Sequence, residues 1–164
     1  GKVSVSGAVV AELDKKSAES YFDVRVEDIA NTVVELDMDL TPRLTIAHTK
    51  VEEDLNQVAV ERGPLVYCVE TMDSEAKDLG RIMIPVNAKF EESKVTIKGH
   101  ELVTLETEGL TFEDDEWYDE DALYQTLDDT EVKPVKFRMI PYFAWDNRGM
   151  GEMIIWLPAF WGKY

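Results

Sequence analysis

The chain has 164 residues, 45% hydrophobic and 31% charged, which is typical of a globular protein with its own core and excludes a disordered chain. Its 34 acidic and 17 basic residues give a formal net charge of −17, which argues against nucleic acid or an anionic membrane surface as a partner. Neutral ligands such as sugars, and cations, remain open.

The N-terminal part of the chain is predicted to form short strands, at residues 3–5, 8–11, 21–26, 33–40 and 43–51. Residues 33–40 give the clearest pattern. Val34, Leu36, Met38 and Leu40 alternate with polar residues, three of them acidic, which predicts an antiparallel strand with one buried face. Ser6-Gly7 is predicted to form a turn between the first two runs.

Residues 58–70 are the densest stretch of β-forming residues, and Gly63-Pro64 divides them into two predicted strands. A polar loop at 71–80 follows, and Gly99-His100 is predicted to form a hairpin turn. The further predicted strands are residues 81–86, 94–98, 101–107, 132–142 and 152–157. Many short strands with almost no helical periodicity predict an all-β fold, an antiparallel β-sandwich or jelly roll, as a single domain over residues 1–164.

Two motifs and one strand pair carry a family resemblance. Residues 61–70 read Glu-Arg-Gly-Pro-Leu-Val-Tyr-Cys-Val-Glu, and residues 140–157 contain Ile-Pro-Tyr-Phe-Ala-Trp, Asn-Arg-Gly and Gly-Glu-Met. Both resemble segments of glycoside hydrolase family 127, the β-L-arabinofuranosidase family. Residues 31–50 are similar to the strand pair that precedes the first motif. The matching stretches follow the family's order, whereas residues 71–131 match only loosely.

The resemblance implies an accessory role. In that family an N-terminal (α/α)6 barrel carries the active site, with a zinc held by cysteines and a glutamate, a cysteine nucleophile and a glutamate acid/base. This chain has one cysteine and no helical-barrel pattern, so no catalytic residue, metal site or cofactor is carried over. The motifs present are those of the family's C-terminal β-sandwich.

We therefore expect a non-catalytic domain excised from a larger glycoside hydrolase-like chain, where it supports the catalytic barrel or an oligomer interface such as a homodimer. A family of polysaccharide degraders implies a periplasmic or secreted parent. The motif residues to which we assign structural roles are Arg62, Gly63, Pro64, Tyr67, Tyr142, Asn147, Arg148 and Gly149. Within this group we expect Arg148 to pair with a carboxylate while Asn147 and Gly149 shape a turn.

A carbohydrate-binding module is the alternative function, since flat aromatic faces flanked by polar side chains can stack on sugar rings. The predicted oligosaccharide-binding residues are Trp117, Tyr118 and Trp145. For the aromatic residues near the C-terminus, packing in the core or an interface is the favoured interpretation, because large aromatics dominate buried area. The residues concerned are Tyr142, Phe143, Trp145, Trp156 and Trp161.

Other candidates for chemistry are weak. Cys68 lies among apolar residues, which predicts a buried structural thiol. His48 and His100 have no second imidazole or thiol at a zinc-binding spacing. The carboxylates of residues 113–116, 119–121 and 128–129 are of the type that binds Ca²⁺, but they lack the order of an EF-hand loop, so a solvated loop is predicted. Paired carboxylates, as in glycoside hydrolysis, have no diagnostic value in a chain with 34 acidic residues.

Overall fold

A computed structural model describes residues 1–14, 21, 23–24, 31–112, 123–124, 126 and 130–162. It divides into two compact units, residues 1–41 and 42–164. The predicted all-β fold is confirmed, because the regular elements of the described residues are strands and 3-10 turns of three residues each. None of the described helices is long and apolar enough to cross a membrane. A single domain over residues 1–164 stays a prediction.

The first unit is a three-stranded antiparallel sheet in which β1 lies between β2 and β3. The strands are β1 (Lys2–Val5), β2 (Ala8–Glu12) and β3 (Val34–Asp37). Ser6 and Gly7 form the predicted turn, with φ angles of 47° and 81° as primed hairpin turns require.

Strand β3 confirms part of the predicted strand at 33–40, but the expected buried face is wrong. Val34 is 50% exposed and Leu36 is 54% exposed. Alternation determines which side chains share a face, but it does not supply a layer to cover that face. The predicted strand at 21–26 lies mostly outside the described residues.

The second unit holds nine strands among the described residues: β4 (Pro42–Ile46), β5 (Gln57–Arg62), β6 (Leu65–Glu70), β7 (Ile84–Pro85), β8 (Glu91–Ile97), β9 (His100–Phe112), β10 (Val132–Pro141), β11 (Met153–Ile154) and β12 (Leu157–Phe160). Their order is β7-β12-β5-β6-β10-β9-β8, with β4 on β5 and β11 on β6. The pairs are antiparallel, apart from β7 with β12. The 3-10 turns are Glu52–Asp54, Thr71–Asp73, Leu79–Arg81 and Tyr142–Ala144.

The main core lies between two parts of this sheet. Strands β5, β6 and β10 each contribute alternate residues, as expected when one face of a strand is buried. The core side chains of these strands and of β9 are Val58, Val60, Tyr67, Val69, Leu105, Val135, Phe137 and Met139. Because the β5–β6 and β9–β10 side chains meet in one cluster, the sheet folds over itself as a sandwich.

A second core cluster covers the opposite face of the β6–β10 pair. Cys68 and Ile140 are cross-strand partners, both with no exposed surface, and they pack with Ile97 and Ala144. The predicted burial of Cys68 is therefore confirmed. Both faces of the β6–β10 pair are covered, so the ends of these strands provide a fixed base for the segments that follow them.

Several strand boundaries in the structure differ from those predicted from the sequence. The β8–β9 turn is at Lys98 and Gly99 rather than Gly99-His100, and β9 extends to Phe112. Of the predicted strand at 81–86, only Ile84–Pro85 forms a strand, β7, because the 3-10 turn Leu79–Arg81 includes its first residue. The predicted strand at 152–157 is two separate strands, β11 and β12.

Candidate functional site

The first motif forms the β5–β6 hairpin. Gly63 and Pro64 are its two-residue loop, and Gly63 has a φ of 58°, which suits glycine at the first central position of a type II′ turn. Immediately before the loop, Arg62 donates from Nε and Nη2 to the two oxygens of Glu92, each at 2.9 Å. This hydrogen bond lowers the pKa of Glu92. The motif arginine thus ties β5 to the start of β8.

Tyr67 of the same motif lies inside the sandwich. Its ring has no exposed surface, and its hydroxyl donates to the carbonyl of Val103 at 3.1 Å. Burial raises the pKa of Tyr67 above its usual value. The contact connects β6 to β9 across the core.

Arg148 of the second motif binds two buried carboxylates beside the end of β6. Its Nε donates to Glu70 Oε2 at 3.0 Å and its Nη1 donates to Asp73 Oδ1 at 3.1 Å, while Nη2 contacts both residues. The side chain of Arg148 is 16% exposed, and those of Glu70 and Asp73 are each 4% exposed. The hydrogen bond to Asp73 is the largest influence that raises the pKa of Arg148. We call these three residues the buried ion cluster.

The buried ion cluster also fixes the loop that carries Arg148. The other oxygen of Glu70 accepts the backbone N–H of Asp146 at 3.0 Å. Asn147 Nδ2 donates to the carbonyls of Ala144 and Trp145, each at 3.1 Å. Asp146 has a φ of 60° and Gly149 a φ of 143°. The loop is therefore held by side-chain and backbone bonds at the two residues before Arg148.

A chain of polar contacts leads from the buried ion cluster across the sheet. Asp73 lies 3.9 Å from Arg138 Nη1, and Arg138 Nε donates to Glu106 at 3.0 Å. Ser93 Oγ also donates to Glu106, at 2.8 Å. The Ser93 hydroxyl, followed by Arg138, lowers the pKa of Glu106. Residues from four elements are thereby linked, although no spacing pattern in the sequence indicated this.

Beside this network lies a groove of about 620 Å³, which we call the charged groove. Its floor includes the cross-strand pairs Glu106–Arg138 and Glu108–Lys136 of β9 and β10. Its lining consists of Met72, Asp73, Ser74, Glu75, Lys89, Glu91, Glu106, Thr107, Glu108, Lys136, Phe137 and Arg138. Trp145, the predicted carbohydrate-binding residue that the structure describes, is not among them.

The aromatic residues after β10 lie on the surface. Residues 142–145, which we call the aromatic turn, follow the end of β10 at Pro141. Tyr142 is 44% exposed, Phe143 64% and Trp145 40%, and the rings of Tyr142 and Trp145 stack with an interplanar angle of 9° and centroids 6.4 Å apart. Packing of these residues in the core of this chain is therefore a wrong prediction, because they come after the strand and its alternation no longer applies. Trp161 is likewise 68% exposed.

The predicted sugar-binding residues are only partly described. Trp117 and Tyr118 lie outside the described residues, and Trp145 belongs to the aromatic turn. Their role in binding an oligosaccharide stays a prediction.

The cysteine and the two histidines of the described region lie in settings that do not favour nucleophilic or metal chemistry. Burial is the main cause that raises the pKa of Cys68 to about 12, so its thiol is protonated near neutral pH. His48 accepts the backbone N–H of Lys50 in an exposed turn, and His100 is exposed. Within the described ranges, no three His, Cys, Asp or Glu side chains are grouped so that they could hold a metal ion.

Comparisons with known proteins agree with the motifs. Residues 42–158 match the glycoside hydrolase family 127 C-terminal domain. The chain is 33% identical over 135 residues to a non-reducing end β-L-arabinofuranosidase of Bifidobacterium longum subsp. longum, a match that covers 81% of this chain and 20% of that protein.

Solved structures give the same relation. One, described as a glycoside hydrolase, has 39% identity and a TM-score of 0.76, and the match covers 96% of this chain and 25% of the other. A family 127 β-arabinofuranosidase has 30% identity and a TM-score of 0.72, with coverage of 97% and 23%. The chain thus spans about a fifth to a quarter of the length of these relatives. On the match over residues 42–158 and these identities, the chain belongs to glycoside hydrolase family 127, to the part that forms the C-terminal domain.

Proposed function

We propose that this chain is a non-catalytic accessory domain that docks, through the aromatic turn, on the N-terminal catalytic barrel of a family 127 glycoside hydrolase. The observation that carries the proposal is the exposed apolar surface of the aromatic turn, which does not line the charged groove. Exposed aromatic surface outside a groove is typical of a protein contact rather than of a ligand pocket.

The non-catalytic part of the proposal is supported by the state of the candidate groups. Glu70 and Asp73, the carboxylates of the buried ion cluster, are both occupied by Arg148. Cys68 is buried and protonated near neutral pH. A nucleophile or general acid needs access to the substrate, which these groups lack.

The relatives supply the argument for what covers the aromatic turn. The matched relatives contain three to four times as much further chain, and the family match is to their C-terminal domain. A neighbouring catalytic barrel is therefore available to cover the aromatic turn. Asn147 holds the carbonyls of Ala144 and Trp145, so the rings are presented on a fixed backbone and less entropy is lost on docking.

Two measurements test the proposal. Incubated alone with a β-L-arabinofuranosyl disaccharide, this chain should release no arabinose, and any turnover that depends on a described residue would refute the non-catalytic role. To test docking, a chimera is made in which this chain replaces the matching segment of the Bifidobacterium longum relative. Phe143→Ser is then introduced both into the chimera and into the isolated chain.

We expect Phe143→Ser to destabilise the chimera by about 1.5–3 kcal/mol, because Phe143 would be buried only there. The isolated chain should change little. Trp161→Ser is the matched control, since Trp161 is also an exposed aromatic but lies outside the matched residues. An equal effect of Phe143→Ser on the chimera and the isolated chain would contradict docking. A dimer of the isolated chain that Phe143→Ser dissociates would instead favour the homodimer.

A further inference from the structure

We propose that the charged groove is a binding site for a neutral, hydroxyl-rich ligand, namely a short oligosaccharide. This inference goes beyond the docking role and uses none of the residues of the aromatic turn. The groove volume of about 620 Å³ lies within the roughly 300–1,000 Å³ of small-molecule sites.

The groove is built on regular backbone pairing. On one side Ser74 bridges to Phe137 of β10, and the N–H of Glu75 donates to the carbonyl of Lys136 at 3.2 Å. On the other side the hydroxyl of Thr107 donates to the carbonyl of Lys89 at 2.8 Å. Both walls are thereby bonded to the β9–β10 floor, so the groove exists before a ligand arrives.

Apart from Glu75, the charged side chains of the groove fall into two sets. In the first, Arg138 pairs with both Asp73 and Glu106, and Asp73 is further held by Arg148. This set is fixed in place and forms a rigid part of the lining.

The second set is available to a ligand. The exposed side chains of Lys89, Glu91, Glu108 and Lys136 make no ion pair or hydrogen bond with other described residues. They place two ammonium donors and two carboxylate acceptors on one groove. Sugar hydroxyls both donate and accept, so they can bond to both kinds of group, and hydrogen bonds to charged groups are the stronger ones.

The charges of the groove disfavour a charged ligand. Its lining carries five carboxylates and three basic side chains, so an anion would meet an excess of negative charge, and a cation would meet the ammonium groups of Lys89 and Lys136. The whole chain carries a net charge of −17, which disfavours an anion further. An uncharged oligosaccharide avoids both costs.

The test is a calorimetric titration of the intact 164-residue chain with a β-L-arabinofuranosyl disaccharide, a probe whose choice rests on the family relation. We expect weak, saturable binding with a Kd of about 1 mM. Lys136→Met and Glu108→Gln should each weaken binding about tenfold, because each removes a charged hydrogen-bonding partner. Lys50→Met is the control, because it makes the same charge change at an exposed turn outside the groove.

The titrations can overturn the groove proposal in three ways. Absence of saturable binding to a chain shown to be folded would overturn the proposal, as would binding that Lys136→Met and Glu108→Gln leave unchanged. Tighter binding of digalacturonate, the anionic comparison probe, would overturn the neutral ligand class. Phe143→Ser should leave binding intact, so that failure of the docking proposal and failure of the groove proposal can be told apart.

Discussion

Replacement of Arg148 by methionine is the sharpest test of the buried ion cluster. The substitution keeps a long apolar side chain but removes the positive charge and the donors that Glu70 and Asp73 share. The two carboxylates would remain almost fully buried, with side chains 4% exposed. Arg138 would still lie 3.9 Å from Asp73, but the carboxylate of Glu70 would lose its cation. The variant therefore leaves buried charge unpaired.

The expected loss follows from the burial of these groups. At an effective dielectric constant of about 20, two opposite charges about 4 Å apart attract by about 4 kcal/mol. Desolvation of the three groups offsets much of this in the native protein, but the substitution leaves the desolvation cost of two carboxylates and deletes the attraction. Removal of one partner from a buried ion pair usually costs about 3–5 kcal/mol, and we expect this loss for Arg148→Met.

Urea unfolding at neutral pH measures the loss, and Arg43→Met is the matched control. Arg43 also donates from two nitrogens to one carboxylate, that of Glu61 at 3.0 and 2.8 Å, but its side chain is 56% exposed. Exposed pairs contribute about 0–1 kcal/mol. Equal losses for Arg43→Met and Arg148→Met would refute the reasoning that burial sets the cost. Arg148→Lys, which keeps the charge without the planar fork, should lose less than Arg148→Met.

Two further predictions concern packing and pH. Gly109→Ala should lower the free energy of unfolding in urea by about 1–3 kcal/mol, because its Cβ would lie 2.6 Å from the carbonyl oxygen of Met83. Gly151→Ala is the control, because the nearest atom to its Cβ would be 3.6 Å away, and it should change the free energy by no more than about 0.5 kcal/mol. A larger loss for Gly151→Ala than for Gly109→Ala would contradict this reasoning. Cys68, with its pKa raised to about 12, keeps its proton in the native state above pH 9, where the unfolded chain loses it. The unfolding free energy should therefore fall as pH rises from about 9 to 12, by up to about 1.4 kcal/mol per pH unit, and Cys68→Ala should fall less steeply.

The sequence predicted the strands of the second unit well, because their core residues follow period two. Val58 and Val60, and Tyr67 and Val69, alternate into the core as their pattern indicates. The alternating pattern gave a wrong prediction where no second layer covers the apolar face of a strand. Strand β3 alternates too, yet Val34 is half exposed, since alternation contains no information on whether a second layer covers the face.

The candidate site was less predictable than the fold, because its contacts join residues far apart in the sequence. Arg148 was expected to bind a carboxylate, but Glu70 and Asp73 precede it by 78 and 75 residues, and 34 acidic residues compete for the assignment. No pattern in the sequence predicted the charged groove either. Its floor depends on the register that pairs Glu108 with Lys136, and a shift of one residue would turn these side chains to the other face.

The buried ion cluster gives a physical reason why the two motifs occur together. The first motif ends at Glu70 and the second contains Arg148, and each charge is buried against the other. Without Arg148, the buried carboxylate of Glu70 would be unpaired, which is far more costly than the loss of an exposed pair. Asp73 extends the same cluster to the wall of the charged groove, and the bond from Asp146 to Glu70 holds the loop next to the aromatic turn. Glu70 and Arg148, one from each motif, thus support both candidate surfaces from inside the protein, although neither residue lines the charged groove or belongs to the aromatic turn.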